Sequence, residues 1–136
     1  MTSSQLPPKP LLLVEDDPND ERLALRGLAR AGVTRPIEVA RDGQEAIDVI
    51  DSSLGQKFAL VLLDLKLPKI SGHDVLKHVR DRYPVKELPV VVFTSSDEPS
   101  DLLRCRDLGV TDYVTKPIDF EDYVSTIRRI VGAWRL

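Results

Sequence analysis

Two apolar runs in this chain end in carboxylates and a third ends in a lysine. They read Val14-Glu15-Asp16-Asp17-Pro18, Leu62-Leu63-Asp64-Leu65-Lys66-Leu67-Pro68 and Tyr113-Val114-Thr115-Lys116-Pro117. Carboxylates brought together repel unless a cation sits among them or one of them takes a proton. Oxygen donors of this kind suit Mg²⁺, which takes a few carboxylates, keeps several waters and completes its shell with a phosphate oxygen. An aspartate beside such an ion is a nucleophile toward a phosphoryl group. Transfer of that group depends mainly on alignment and on neutralising spread negative charge. Mg²⁺ and the Lys116 ammonium would neutralise, and Thr94, closing a fourth apolar run, would donate its hydroxyl to a phosphoryl oxygen. Singly, each residue has a plainer use: a strand-end aspartate as a cap, a lysine as surface charge, a threonine as a good strand residue. Gathered at neighbouring strand ends, they point to a functional cleft.

The elements that must position them alternate along the chain. Leu11 to Glu15 reads as a first strand, followed by a helix with Asp17 at its N-cap and Pro18 at its first position. Asp20 and Glu21 fall in the first turn of that helix, Arg26 and Arg30 late, and Gly32 supplies a stop. Ile37 to Ala40 is a short second strand, and Gly43 leads into a helix with Ala46, Ile47 and Ile50 on one face. Phe58 to Leu63 and Leu88 to Phe93 read as strands buried on both faces. Between them Val75, Leu76 and Val79 mark a third helix. Asp97, Glu98 and Pro99 open a fourth, which Gly109 closes. Tyr113 and Val114 lie on a fifth strand, and Asp119 caps a last helix. Five βα units imply an α/β fold, a parallel sheet with right-handed crossovers and helices on both faces. The open edge at the strand C-termini is where such sheets place their sites.

Composition narrows the class. The 136 residues are 42% hydrophobic and 30% charged, an ordinary balance for one globular domain. A net charge of -3 gives no global attraction to nucleic acid or to an anionic membrane. Cys105 is the only cysteine, so an intrachain disulfide is impossible, and a reducing, cytoplasmic setting is expected. No apolar stretch approaches the roughly 20 residues that span a bilayer. Residues 1–10, rich in Ser and Pro, are expected to be a flexible segment ahead of one domain over 11–136.

The set VEDDP, LLDLKLPKISG, VVFTSSD and DYVTKP resembles the receiver domain of two-component response regulators, over nearly all of Leu11 to Val131. The resemblance implies a (βα)5 flavodoxin-like doubly wound sheet of strand order 2-1-3-4-5. It implies that Asp64 accepts a phosphoryl group from a phosphohistidine on a sensor histidine kinase or phosphotransfer protein. Glu15 and Asp16 would form the acidic pair, with Asp16 a direct metal ligand, Asp64 both phosphoacceptor and ligand, and the Lys66 backbone carbonyl a further ligand. Thr94 and Lys116 would hold the phosphoryl oxygens, with Thr94 and Tyr113 as switch residues. The Lys116–Pro117 bond is expected to be cis. The protein would be a kinase substrate rather than an enzyme, signalling by protein contacts. The alternative is a phosphate carrier or sink in a phosphorelay. A narrower pattern, VEDDPNDE…VARDGQEA…SSDEPSD, is similar to stand-alone regulators paired with phytochrome-type sensor kinases.

A phosphatase working through an aspartyl-phosphate would want a second acid two residues after Asp64, where Lys66 stands. A flavodoxin-like cofactor carrier would want a phosphate-cradling loop where Glu-Asp-Asp-Pro stands. No DNA-reading module or long basic surface is present in the sequence. Cys105 is expected to pack inward, and His73 and His78, five residues apart, to be solvated rather than a metal pair. Ser96 is a candidate influence on hydrolysis of the acyl phosphate. Arg22, Arg26 and Arg30 form a basic stripe suited to an acidic kinase surface or to solvent. On the last helix Phe120, Tyr123, Val124, Ile127, Ile130, Val131 and Trp134 make a stripe wider than a sheet contact needs. Its extra width predicts a second apolar surface and a homodimer through the C-terminal helix region.

Overall fold

A computed structural model describes residues 8–52 and 57–136. Its strands are β1 (Leu11–Val14), β2 (Ile37–Ala40), β3 (Leu60–Leu63), β4 (Val90–Thr94) and β5 (Asp112–Thr115). The helices are α1 (Pro18–Arg30), α2 (Gly43–Ser52), α3 (Gly72–Arg82), α4 (Pro99–Asp107) and α5 (Phe120–Trp134), each following the strand of the same number. The strands pair in the order β2-β1-β3-β4-β5, every pair parallel. The strands begin or end a residue or two from their apolar runs: β3 and β4 start two residues after Phe58 and Leu88, and β1 ends at Val14 with only the Glu15 N–H reaching on to β2.

Alternation along each strand divides the core in two. Leu12, Val14, Val61, Leu63, Val90 and Val92 face one side, where they meet Ala46 and Ile50 of α2, Val75, Leu76 and Val79 of α3 and Cys105 of α4. Leu11, Leu13, Leu60, Leu62, Val91 and Phe93 face the other, against Ala24 and Leu28 of α1 and Tyr123, Ile127 and Ile130 of α5. Cys105 is buried as expected. The helix starts follow the cap chemistry. Asp17 accepts from the backbone N–H groups of Asn19 and Asp20, and Asp119 accepts from that of Asp122. Gly32, at φ 88°, turns the chain after α1 in a conformation that a side chain would strain.

Residues 1–7 of the expected flexible segment lie outside the described residues. Lys9 and Pro10 are tied down: the Lys9 carbonyl accepts from Arg35 Nη1 at 2.7 Å and the Pro10 carbonyl from the Ala59 N–H at 2.9 Å. Much of the wide stripe of α5 is turned inward, while Phe120, Val131 and Trp134 stay half-buried. Tyr123, Val124, Ile127 and Ile130 are buried, and Val131 and Trp134 pack against the same core. A β-carbon on Gly27 of α1 would lie 3.2 Å from Ile127 Cγ1 and 3.3 Å from Tyr123 Cε1. The extra width of α5 therefore covers α1 as well as the sheet.

Candidate functional site

The site lies at the carboxyl edge of β1, β3, β4 and β5, where four chain segments leave the sheet. Glu15 follows β1 and is buried, because its N–H bonds to the Ala40 carbonyl and holds the residue against the sheet edge. Asp64 follows β3, buried, with its N–H on the Val14 carbonyl. Lys116 follows β5, its N–H on the Thr94 carbonyl. β1, β3 and, across β4, β5 thus deliver their next side chains to one place.

Lys116 Nζ donates to Glu15 Oε1 at 2.7 Å and to Asp64 Oδ2 at 3.1 Å, and lies 3.5 Å from Asp20 Oδ2. It also stands 5.8 Å from the centre of the Phe93 ring. Burial pushes the Glu15 carboxyl up to about 7, opposed by the Lys116 hydrogen bond and assisted by the Asp64 charge. Burial alone would lower the Lys116 ammonium, but the charges of Asp64, Glu15 and Asp20 outweigh it and hold it above the ordinary lysine value.

One ligand oxygen from each of Glu15, Asp20 and Asp64 lies within 4.8 Å of the other two. Hard oxygen donors so spaced fit a divalent ion of the Mg²⁺ kind. Along the sequence Asp20 is only a first-turn charge of α1. The signal for more was its place three residues after the Asp17 cap, which turns it toward the same sheet edge. Asp16, the expected direct ligand, is exposed just past β1 and stands outside that group of three. Asp17 caps α1.

Asp64 Oδ1 faces the Lys66 N–H at 3.4 Å, and the Lys66 side chain is exposed. Gly72 has no side chain to signal a role in the sequence, yet a β-carbon there would fall on the Asp64 carbonyl oxygen and the Leu65 Cα. Its absence lets α3 begin against the backbone of the acceptor. The Gly72 N–H bonds to the Leu65 carbonyl at 2.9 Å.

Thr94 is fully buried at the end of β4, and its Oγ1 accepts from the Ser96 N–H at 3.3 Å. Tyr113 is half-buried, donating its hydroxyl to the Ser96 carbonyl at 2.8 Å. The Ser96 hydroxyl is engaged by Asp101 at 2.5 Å.

Three other expectations change. Among the described residues no peptide bond is cis, so Lys116–Pro117 is trans. For X–Pro the trans isomer is favoured by about 0.5–1 kcal/mol, and from it Lys116 reaches both carboxylates. Neither histidine is simply solvated. His73 is buried, and His78 Nε2 lies 3.0 Å from Asp51 Oδ1 across the α2–α3 contact. Of the arginine stripe, Arg26 and Arg30 lie over the Phe120 ring at 5.3 and 5.6 Å. That binds α1 to α5 and occupies part of the basic face.

Residues 11–128 match the response regulator receiver domain family. Response regulator Rcp1 of Synechocystis sp. is 32% identical over 98% of this chain and 94% of its own length. The structure of the Mn²⁺-bound form of Rcp1 superposes with a TM-score of 0.83, covering 93% of this chain and 94% of that one. The phosphorylated cyanobacterial phytochrome response regulator RcpA gives 0.85 at 32% identity, over 93% and 94% of the two chains. The bacteriophytochrome response regulator AtBRR is 40% identical, with a TM-score of 0.72 over 91% and 92%. Among the described residues no helix is long and apolar enough to cross a membrane.

Proposed function

The chain belongs to the response regulator receiver domain family, and from that premise we propose that Asp64 accepts a phosphoryl group from the phosphohistidine of a sensor histidine kinase or phosphotransfer protein. The observation that carries this is the Lys116 ammonium bonded to Asp64 and Glu15 at the carboxyl edge of the sheet. It is a largely buried cation already held where a phosphoryl oxygen would arrive.

In the proposed reaction an Asp64 carboxylate oxygen attacks phosphorus. The new P–O bond forms as the P–N bond to the donor imidazole breaks, and the electron pair leaves with that nitrogen. Lys116 then exchanges a carboxylate oxygen for a phosphoryl oxygen, and Thr94 turns its hydroxyl from the Ser96 N–H toward another. Asp16, Asp64 and the Lys66 carbonyl, with Glu15 and Asp20 beside them, would hold Mg²⁺, whose charge would offset that of the transferred group. On this reading the protein is a kinase substrate rather than a turnover enzyme. It works within 11–136 and in the cytoplasm. Its output passes through protein contacts near Thr94 and Tyr113. A phytochrome-type kinase is the proposed class of partner, on the strength of RcpA and AtBRR.

Self-association through the C-terminal helix region is a separate proposal. With Tyr123, Val124, Ile127 and Ile130 buried, it would draw on the half-buried Phe120, Val131 and Trp134. A single monomeric species in sedimentation, with and without beryllofluoride, would dispose of it.

The central test is intact mass after incubation with Mg²⁺ and acetyl phosphate. The wild-type chain is expected to gain one phosphoryl group and Asp64→Asn none. Equal labelling of the two would remove Asp64 from its role.

A further inference from the structure

The loop between β4 and α4 holds a run of side chains that phosphoryl transfer itself does not use. Ser96, 6% exposed, is its hub. Its Oγ donates to Asp101 Oδ2 at 2.5 Å and accepts the Glu98 N–H at 3.3 Å. Its N–H reaches Thr94 Oγ1 and its carbonyl takes the Tyr113 hydroxyl. The other Asp101 oxygen, Oδ1, faces His73 Nε2 at 3.5 Å. His73 enters from the first turn of α3 and is 7% exposed, and its Nε2 is without a hydrogen-bond partner. A buried imidazole nitrogen left so calls for an explanation. The Asp101 carboxylate that it faces supplies one.

We propose that His73 and Asp101 are positioning residues of the switch. They tie Ser96, and through it Thr94 and Tyr113, to the start of α3 while Asp64 is unphosphorylated. The tie rests on the roles given above to Thr94 and Tyr113.

The physical ground is short connection. One residue separates Thr94 from Ser96, and the Ser96 N–H sits on the Thr94 hydroxyl. Thr94 cannot turn toward a phosphoryl group without releasing that N–H and disturbing the loop. Tyr113 cannot turn inward without leaving the Ser96 carbonyl. Asp101 opposes both movements by holding Ser96 to α4, and His73 opposes movement of the Asp101 carboxylate by facing it from α3. Loop position is then an equilibrium between a tied and a released arrangement, and whatever favours one shifts the population. Losing a hydrogen bond to a charged group shifts such an equilibrium by about tenfold or more.

The test uses the full chain with 3-fluorotyrosine at its three tyrosines, Tyr83, Tyr113 and Tyr123. Tyr113→Phe assigns the Tyr113 fluorine resonance. With no phosphoryl donor, Asp101→Ala and Ser96→Ala are expected to move that resonance toward its position in beryllofluoride-treated wild type. His73→Asn should move it part of the way. Asp101→Asn, which keeps an oxygen for the Ser96 hydroxyl, should stay near wild type. The Tyr123 resonance, from the core, reports whether each variant is folded. Should Asp101→Ala fail to fold, Ser96→Ala carries the same readout. A Tyr113 resonance unchanged in the folded variants overturns the tie. If acetyl phosphate labels Asp64 while that resonance ignores Asp101, the tie alone falls. If beryllofluoride does not move the resonance in wild type, the switch roles and the tie fall together.

Discussion

Two partly buried cations stand at opposite edges of the same sheet, and their partners differ in kind. Lys116, at the carboxyl edge, is shared among the carboxylates of Glu15, Asp64 and Asp20. Arg80, at the amino edge, is met by neutral oxygens. Its Nε donates to the Gly109 carbonyl at 2.6 Å, and Nη1 donates to the carbonyls of Leu88 at 2.8 Å and Tyr83 at 3.2 Å. Its Nη2 donates to Thr111 Oγ1 at 3.0 Å. Burial pushes the Arg80 guanidinium below its ordinary value, and among the described residues no carboxylate offsets it.

Carbonyl acceptors fix one arrangement. Each loses a partner at a part-buried position if Arg80 leaves, so Arg80 ties the end of α3, the start of β4 and the turn before β5 together. Carboxylate partners compete with one another and with any arriving anion, so Lys116 can change partners without leaving a neutral group stranded. A cation that holds the fold and a cation that can serve a reaction are told apart by what they bond, not by how deeply they sit.

The contrast breaks most directly by removing each cation in turn. Arg80→Met is expected to cost about 3 kcal/mol or more in urea unfolding at any pH where the chain folds, with Asp64 still labelled by acetyl phosphate. Lys116→Met should slow that labelling strongly, while its cost in stability should be smaller at acid pH, where Glu15 can take a proton instead. If both variants lose stability alike and neither loses labelling, the two cations do the same work and the distinction fails.

A second, smaller effect concerns Glu15. Its folded-state carboxyl titrates near 7, against an ordinary value of 4.5. The native chain therefore keeps a proton, over that window, that the unfolded chain has released. The associated stability is complete below about pH 4.5 and declines as pH rises through 7, by about 3 kcal/mol in all at ~1.4 kcal/mol per unit. Urea unfolding in chelator at about pH 5 and about pH 8 should show the decline, and Glu15→Gln should flatten it. A wild-type stability that rises over this interval would show that Lys116 keeps Glu15 ionised throughout.

The smallest change sharpens the boundary of the site. Asp17→Ala removes a cap whose Oδ1 takes the Asn19 N–H at 2.7 Å. It should cost about 1 kcal/mol and leave Mg²⁺-dependent labelling unaltered. A lost Mg²⁺ requirement would make Asp17 a ligand as well as a cap.

Much of this was legible along the chain. The apolar runs set five strands, and Asp17, Pro18, Gly32 and Asp119 punctuated the helices, because caps and turns depend on a few neighbouring residues. The three charged strand ends announced the cluster, since a parallel sheet delivers successive strand ends to one edge whatever covers its faces. What the chain could not show was any property set by two distant elements. Asp20 joins the cluster and Asp16 stands outside it because α1 turns one toward Lys116 and leaves the other at the exposed end of β1. Part of the width of the α5 stripe is taken up by α1, which no reading of α5 alone shows. His73 looked solvated until α4 brought Asp101 over it. Local sequence determines which groups exist and on which edge they emerge. Only packing across α1, α3, α4 and α5 decides which of them touch, because distance and burial belong to pairs of elements and not to either one alone.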